Sequence, residues 1–209
     1  MNEELYRYID EEIIPRYDAF DRAHRRDHVH TVMEHSLQLA AFYPVDRDMV
    51  LAIAAFHDTG LVDGREIHHL SSGRIVREDR MLPRWFSPDE IELMAEAVED
   101  HRASSSRPPR SIYGKIVAEA DRVIDAETIV QRTILYGWSH YPALSKREHY
   151  ERFCRHMEEK YSDRGYLKLW IPESVNAVRL EEFRRLLRDE DERRMIFERE
   201  WKFLSDEKG

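Results

Sequence analysis

The sequence has a single cysteine, Cys154, and no long apolar run. One cysteine excludes a disulfide framework and a structural zinc site built from thiolates, and it is typical of a reducing compartment. No stretch approaches the roughly 18–20 apolar residues that span a membrane. The amino terminus, Met1-Asn2-Glu3-Glu4, has a net negative charge, unlike a secretory signal. We therefore expect a soluble, cytoplasmic protein.

Glycine and proline are scarce, at 7 and 8 of 209 residues, whereas charged residues make up 36%. This composition favours long solvated helices over a sheet-rich fold. The formal net charge of −9 disfavours a nucleic-acid backbone or an anionic membrane as the main partner. A local basic pocket could still hold a phosphate group.

Apolar residues recur at helical spacing through the chain, and we find no repeat, strand or hairpin pattern. Two serine–glutamate pairs, Ser87 with Glu90 and Ser145 with Glu148, have the spacing of capping boxes that begin helices. We predict an all-α fold, with a bend near Ile124. The predicted helices are 3–14, 27–42, 46–58, 69–81, 88–101, 112–134, 145–161, 174–188 and 190–204.

His57 and Asp58 stand side by side between the apolar run 49–56 and Gly60. Taken alone, Asp58 is typical of an ordinary helix end. Burying a charged aspartate in such surroundings costs several kcal/mol unless a partner offsets it, and a metal ion is an effective partner. The pair therefore becomes informative only if other ligands face the same place.

Such residues fall at inward positions of other helices. His28 is on the apolar face of the second helix, and Asp121 stands where the sixth should have a core residue. With His57 and Asp58 they form a mixed nitrogen and oxygen set, suited to Mn, Fe, Co, Ni or Zn rather than Ca. Each alone has an ordinary explanation as a hydrogen-bonded core histidine or a helix cap, so the hypothesis depends on their convergence.

Two further inward histidines could complete a second metal site. His69 opens one predicted helix and His101 ends another. If both converge on Asp58, that carboxylate could bridge a second metal to the first.

Several short segments carry a family resemblance. They contain two histidines four apart (His24 and His28), then Phe56-His57-Asp58-Thr59-Gly60, and then the segments 69–73, 98–101 and 116–122. Together they resemble the motifs of the HD-domain metal-dependent phosphohydrolases over about residues 20–137. The resemblance implies a helical bundle with a metal in its middle, held by His28, His57, Asp58 and Asp121. It also implies a second metal on His69 and His101, as in the binuclear members.

The domain organisation follows from this resemblance. We predict a single all-α domain over residues 1–209, with an HD core at about 20–137 and a C-terminal helical extension at about 138–209. The extension matches no motif that we can assign, and we expect its histidines His140, His149 and His156 at the surface.

The leading functional hypothesis is hydrolysis of a phosphomonoester or phosphodiester, of a nucleotide or related small metabolite, by metal-activated water. Asp58 would bridge the metals or orient the water, and His24 would be the general acid. Asp63 or Glu66 could serve as acid or base instead. Lys115 and Arg122 are candidate phosphate-binding residues.

Two other readings stay open. The same helical ligand set with two irons resembles that of myo-inositol oxygenase, which performs redox chemistry. The other alternative is a regulatory module, in which the metal is structural and a nucleotide is bound but not hydrolysed. The sequence specifies neither the substrate nor the metal, and it leaves homodimer formation open.

Overall fold

The computed structural model describes residues 2–20, 25–105, 107–122 and 124–207. Within these ranges every regular element is helical, which confirms the predicted all-α fold. The α-helices are α1 Glu3–Tyr8, α2 Arg26–Ala40, α3 Arg47–Phe56, α4 His68–Glu78, α5 Pro88–Glu99, α6 Ile112–Ala120, α7 Ala126–His140, α8 Lys146–Tyr161, α9 Val175–Arg188 and α10 Glu190–Asp206. None of the described helices is long and apolar enough to cross a membrane.

The helix starts follow the local signals of the sequence. Ser87 and Ser145 both form complete capping boxes, each with the glutamate three residues on. Asp46 caps α3, since its carboxylate accepts from the backbone N–H groups of Asp48 and Met49. These side chains satisfy N–H groups that have no partner within the helix.

Two predicted boundaries are wrong. Pro15 does not end the first helical stretch: α1 continues through a π-helical segment, Ile9–Ile13, into a 3₁₀ segment, Ile14–Ala19, in which proline fills an early position. Proline is tolerated in a first helical turn because its missing N–H would have no partner there. The predicted helix 112–134 with a bend near Ile124 is two helices, α6 ending at Ala120 and α7 beginning at Ala126, and Asp121 is the C-terminal cap of α6 rather than a mid-helix residue.

The backbone divides into two compact units. The first is Met1–Arg122 together with Trp170–Ser174, and the second is Val123–Leu169 together with Val175–Gly209. Compactness does not decide whether the units unfold together, so a single domain over residues 1–209 stays a prediction.

Helix α3 is the centre of the first unit. All residues from Met49 to Phe56 are buried, as expected for a helix that is apolar on every side. It packs against α2, α5 and α6. His57 and Asp58 follow directly at its C-terminal end, so the apolar run carries both side chains into the middle of this unit.

Two glycines let helix α4 approach its neighbours closely. A Cβ at Gly60 would lie 2.2 Å from the carbonyl oxygen of His68, and one at Gly73 would lie 2.6 Å from Cγ of Glu99. A methyl group does not fit at such distances. The glycines therefore bring the start of α4 against the turn after Asp58.

The short segment Trp170–Ser174 is part of the first unit although it comes late in the chain. Ile171 is in the hydrophobic core, and the backbone N–H of Trp170 donates to the buried Glu119 carboxylate at 2.7 Å. The Tyr43 hydroxyl donates to Glu173 at 2.6 Å. This segment therefore supplies core and polar contacts to the unit that contains His57 and Asp58.

The second unit consists of α7–α10, with Phe153, Met157, Phe183 and Phe197 in its interior. His149 is only 2% exposed and its ring packs against Trp201, so its predicted surface position is wrong. The residue is on the inward face of α8, which the charged neighbours in the sequence obscure.

Candidate metal centre

Four histidines from four separate elements turn their Nε2 atoms toward one place. The Nε2 atoms of His28, on α2, and His57, after α3, are 3.2 Å apart. Those of His68, at the start of α4, and His101, just after α5, are 3.1 Å apart. The helices thus bring together two imidazole pairs that are distant in sequence.

Asp58 lies between the two pairs. Its Oδ2 atom is 3.2 Å from Nε2 of His57 and 3.6 Å from Nε2 of His28. Its Oδ1 atom is 3.4 Å from Nε2 of His68 and equally far from Nε2 of His101. One carboxylate therefore offers a different oxygen to each histidine pair.

Asp121 joins the first pair from the end of α6. Its Oδ1 atom is 3.2 Å from Nε2 of His28 and 3.9 Å from Nε2 of His57. The first group is thus His28, His57, Asp58 and Asp121, and the second is His68, His101 and Asp58. We refer to all six residues as the His/Asp cluster.

Backbone carbonyl groups hold three of the histidine rings in the same way. The Nδ1 atoms of His57, His68 and His101 contact the backbone carbonyl oxygens of Ala54, Arg65 and Val98 at 2.6–2.8 Å. A carbonyl oxygen can only accept a hydrogen bond, so Nδ1 carries the proton and a neutral ring has a bare Nε2. This arrangement fixes the ring orientation and the tautomer, as at protein metal sites.

This tautomer makes the short Nε2 distances unfavourable without a cation. In the second pair, His68 and His101 direct lone pairs at each other across 3.1 Å, and both face a carboxylate oxygen of Asp58. Neutral rings in this state have no proton to share, so electron-rich atoms are crowded together. A divalent cation removes the repulsion, because histidine nitrogens about 2 Å from one ion lie roughly 3 Å apart. The donor set therefore fits divalent metal binding.

The pKa shifts of the cluster residues agree with an excess of hydrogen-bond acceptors over donors in the cluster. Burial acts to lower the pKa of His28, but the hydrogen bonds and charges of Asp121 and Asp58 outweigh it and raise the pKa to about 9. Burial favours the neutral carboxyl of Asp58, yet the surrounding histidines hold its pKa well below the usual range. At His68, burial and the nearby His101 lower the pKa to about 4. At His101, burial acts to lower the pKa, but the hydrogen bond and charge of Asp58 outweigh it and raise the pKa. The cluster thus attracts positive charge, and the carboxylates stay ionised.

Tyr17 supports Asp58 from behind, and the sequence analysis did not anticipate it. The buried Tyr17 hydroxyl donates to the carbonyl of Ala55 at 2.8 Å and accepts from the backbone N–H of Asp58 at 3.3 Å. Burial, with the charge of Asp58, raises the pKa of Tyr17, so the hydroxyl keeps its proton. Tyr17 stands between the charged residues Arg16 and Asp18, so no sequence signal indicated this role.

The structure corrects one predicted ligand. His68, not His69, faces Asp58, because α4 begins at His68 and one residue along a helix turns the side chain by about 100°. His69 is half-buried beside it, with its ring centre 5.6 Å from that of His68. The usable signal was the buried face of α4, which His68 shares with Ser72 and Val76.

Of the predicted catalytic residues, the structure places only Asp58 in the cluster among those it describes. Asp58 is in the cluster, whereas His24 lies outside the described residues. Asp63 pairs with Arg74 at 2.8 Å, and the backbone carbonyl of Glu66 accepts from Arg102 at 2.5 Å. The acid and base roles considered for His24, Asp63 and Glu66 stay predictions.

The two predicted phosphate-binding residues lie on or just after α6. Arg122 is buried, one of its Nη groups donates to the carbonyl of Ala118, and burial lowers its pKa. Lys115 is half-buried, and among the described residues no hydrogen bond or ion pair joins it to the His/Asp cluster. Their role in substrate binding stays a prediction.

The cluster is most exposed to solvent at Asp121. The side chain of Asp121 is 24% exposed and those of His28 and His68 are each 11% exposed, whereas His57 is fully buried. A small anion approaching from solvent would therefore reach Asp121 first.

Comparison with known proteins agrees with this geometry. The family model described as HD domain matches residues 25–125, the range that contains all six cluster residues. Residues 25–125 of the chain are an HD domain. This domain supports a place in a superfamily of metal-dependent hydrolases.

One curated relative is a tRNA (cytidine(56)-2'-O)-methyltransferase of Picrophilus torridus. It is 30% identical to this chain over an alignment of 115 residues that covers 49% of the chain. The match covers 32% of the relative, so the chain spans about a third of that protein's length. The methyl-transfer activity is that of the relative. No solved structure matches the chain.

Proposed function

We propose that the protein hydrolyses a phosphate ester, of a nucleotide or related small metabolite, at the His/Asp cluster with divalent transition metals. The observation that carries the proposal is the position of Asp58, whose two oxygens face two separate groups of ligands. A carboxylate between two such groups is the arrangement of two-metal phosphoester hydrolases. Mn, Fe, Co, Ni and Zn are the ions suited to imidazole with carboxylate.

Charge explains why cations are needed for this substrate class. Asp58 and Asp121 are both ionised in the cluster, so a phosphate ester would be repelled. Divalent cations supply the attraction for the phosphoryl oxygens and lower the pKa of an attacking water. An ester would approach from the side of Asp121, whose side chain is 24% exposed.

The protein's own residues supply positioning. Backbone carbonyls fix the rings of His57, His68 and His101, and Tyr17 fixes the backbone at Asp58. Arg102 follows His101 directly and donates to the backbone carbonyl of Glu66. Glu66 follows Arg65, whose carbonyl holds the ring of His68. Ligands held in this way need little rearrangement during the reaction.

The test is phosphate release by full-length protein, reconstituted with each of the five metals, from a panel of phosphomonoesters and phosphodiesters. We expect metal-dependent turnover that is lost in His28→Ala. His30→Ala is the matched control, because His30 is on the same helix but exposed, and it should keep wild-type activity.

Two outcomes would contradict the proposal. Equal loss of activity in His30→Ala would show that the assay does not report on the cluster. Tight metal binding with no phosphate release from any ester, but with O₂ consumption on a polyol, would favour the oxygenase alternative.

A further inference from the structure

A polar cavity lies in the second unit, and none of the residues discussed above for catalysis contributes to it. It has a volume of about 300 Å³ and lies between α8, the turn after it, α9 and the start of α10. This volume is at the lower end for small-molecule sites. Its charged lining residues are the four arginines Arg164, Arg184, Arg188 and Arg193 and the two acids Glu158 and Asp163.

Two of these arginines are held mainly by neutral groups. Nε and Nη2 of Arg184 donate to the carbonyls of Tyr161 and Ser162 at 2.9 and 3.2 Å. Nη1 of Arg193 donates to the carbonyl of Leu187 at 2.8 Å. Carbonyl oxygens position a guanidinium group without neutralising its charge. The walls of the cavity therefore carry fixed positive charge.

The acidic groups at the cavity cancel only part of this charge. Asp163 is 3.4 Å from Arg188 and 3.8 Å from Arg184, and Arg188 also contacts Glu181 at 2.9 Å. The side chain of Asp163 is 64% exposed, so water weakens its attraction for both arginines. Four arginines and two acids line the cavity, and Glu181 and Glu190 act on Arg188 and Arg193 from beside it. The lining itself therefore has an excess of arginines in a chain whose net charge is −9.

The turn that borders the cavity is rigidly built. Gly165 donates to the carbonyl of Ser162, Tyr166 to that of Glu159 and Leu167 to that of Lys160, at 2.9–3.1 Å. A Cβ at Gly165 would lie 2.4 Å from the carbonyl oxygen of Lys160, so this close turn requires glycine. The cavity is therefore formed before any ligand arrives.

The remaining wall is partly apolar. Met157 and Leu187 are both buried and both line the cavity. A ligand that fits has an anionic group for the guanidinium groups and an uncharged body for this wall. Guanidinium groups form paired hydrogen bonds with phosphate oxygens.

We propose that this cavity is a binding site for a small organic phosphate, separate from the His/Asp cluster. Binding here does not require the proposed hydrolysis, because every lining residue belongs to the second unit. A protein without hydrolase activity could therefore still bind phosphate at this site.

The experiment uses full-length, isotope-labelled protein treated with a chelator, with pyrophosphate as the probe at physiological salt. Amide chemical shifts locate the binding site, and calorimetry gives the affinity. We expect shifts at residues 162–165 and 184–193, and binding that Arg193→Gln and Arg188→Gln each weaken by about tenfold or more. Arg147→Gln is the control, because this exposed arginine of α8 pairs only with Glu151 among the described contacts, and it should bind normally.

The same titration with succinate separates phosphate from carboxylate chemistry. Succinate should bind at least about tenfold more weakly than pyrophosphate. Equal affinity for the two anions, shifts confined to the His/Asp cluster, or no shift with either anion would each overturn the proposal. Because the shifts of wild-type protein locate the site directly, a variant that fails to fold does not affect the conclusion.

Discussion

The C-terminal end of α5 joins two polar clusters that handle charge in opposite ways. On one side, Glu99 accepts from Arg77 and Arg110 at 2.6 Å each, and Asp100 accepts from Arg110. On the other, the next residue, His101, faces Asp58 among imidazoles. Glu99 and Asp58 both connect two groups, but only Glu99 has permanent cations of the chain on both sides.

This difference shows how to tell a structural cluster from a ligand site. In the arginine cluster, Glu92, Glu96, Glu99 and Asp100 each contact a guanidinium group, so the folded chain is sufficient. In the His/Asp cluster, the carbonyl-bound tautomers leave bare nitrogens beside carboxylates. The convergence of polar residues alone therefore does not indicate a metal site. A metal site is indicated when ligand atoms converge and no lysine or arginine side chain pairs with them.

The largest expected effect is from Asp58→Asn. Loss of a residue that merely supports a metal ligand costs about 10–100-fold in metal affinity, so loss of the shared carboxylate should cost at least about 100-fold. At a free metal concentration about 100 times Kd, each site stabilises the wild type by about 2.7 kcal/mol, and the variant should lose most of this. Denaturation with and without metal measures it. If metal stabilised the variant as much as the wild type, Asp58 would not be a shared metal ligand.

The next effect distinguishes two adjacent histidines. His68→Ala should remove one of two bound metals, whereas His69→Ala should keep both, because only His68 faces Asp58. Elemental analysis of the two purified variants beside the wild type provides the measurement. If His69→Ala lost a metal and His68→Ala kept both, His69 would be the ligand, as the sequence predicted.

Glu99→Gln should break the arginine cluster and leave the metals in place. Glu99 has a side chain only 12% exposed and bonds two guanidinium groups. Hydrogen bonds of this kind contribute about 1–3 kcal/mol. Urea denaturation should show a loss of that size, with metal content unchanged. If the variant lost metal instead, the two clusters would not be separable.

A smaller, pH-dependent effect is expected at His149, a buried histidine whose Nδ1 has no hydrogen-bond partner among the described atoms. Burial and the charge of Arg152 lower its pKa below 6.5, so the unfolded chain binds this proton more readily. Its contribution to stability is therefore present above pH 6.5 and is lost as the pH falls, by at most about 1.4 kcal/mol per pH unit.

Urea denaturation of metal-free protein from about pH 7 to about pH 5 measures this loss, which should be smaller in His149→Gln than in the wild type. His140→Gln, at an exposed histidine of the same unit, is the control and should behave as the wild type does. Equal slopes for wild type and His149→Gln would remove His149 as the cause.

Much of the fold was predictable because its signals are local. Capping boxes and apolar spacing placed most helix starts, and the fully apolar run before His57 predicted a buried central helix. The sequence predicted a bend near Ile124 but not a complete break between two helices, since apolar spacing continues across it. This error did not affect the predicted role of Asp121, because the residue faces the cluster from a helix end as well as from a helix interior.

The site was predictable where a residue sits on an apolar face. Helical spacing turned His28 and His101 inward, and the structure brings both to Asp58. His68 was missed because a boundary error of one residue changes the face. The contacts of Tyr17 with Asp58 and of Trp170 with Glu119 join residues far apart in sequence, so no local pattern reports them.

The central claim is that Asp58 lies between two divalent cations. Anomalous diffraction from crystals of the full-length protein grown with Mn²⁺ tests it most directly. The account predicts two peaks, one contacting His28, His57 and Asp121 and the other contacting His68 and His101, with Asp58 contacting both. A single peak, a peak at His69, or no peak at saturating Mn²⁺ would contradict it.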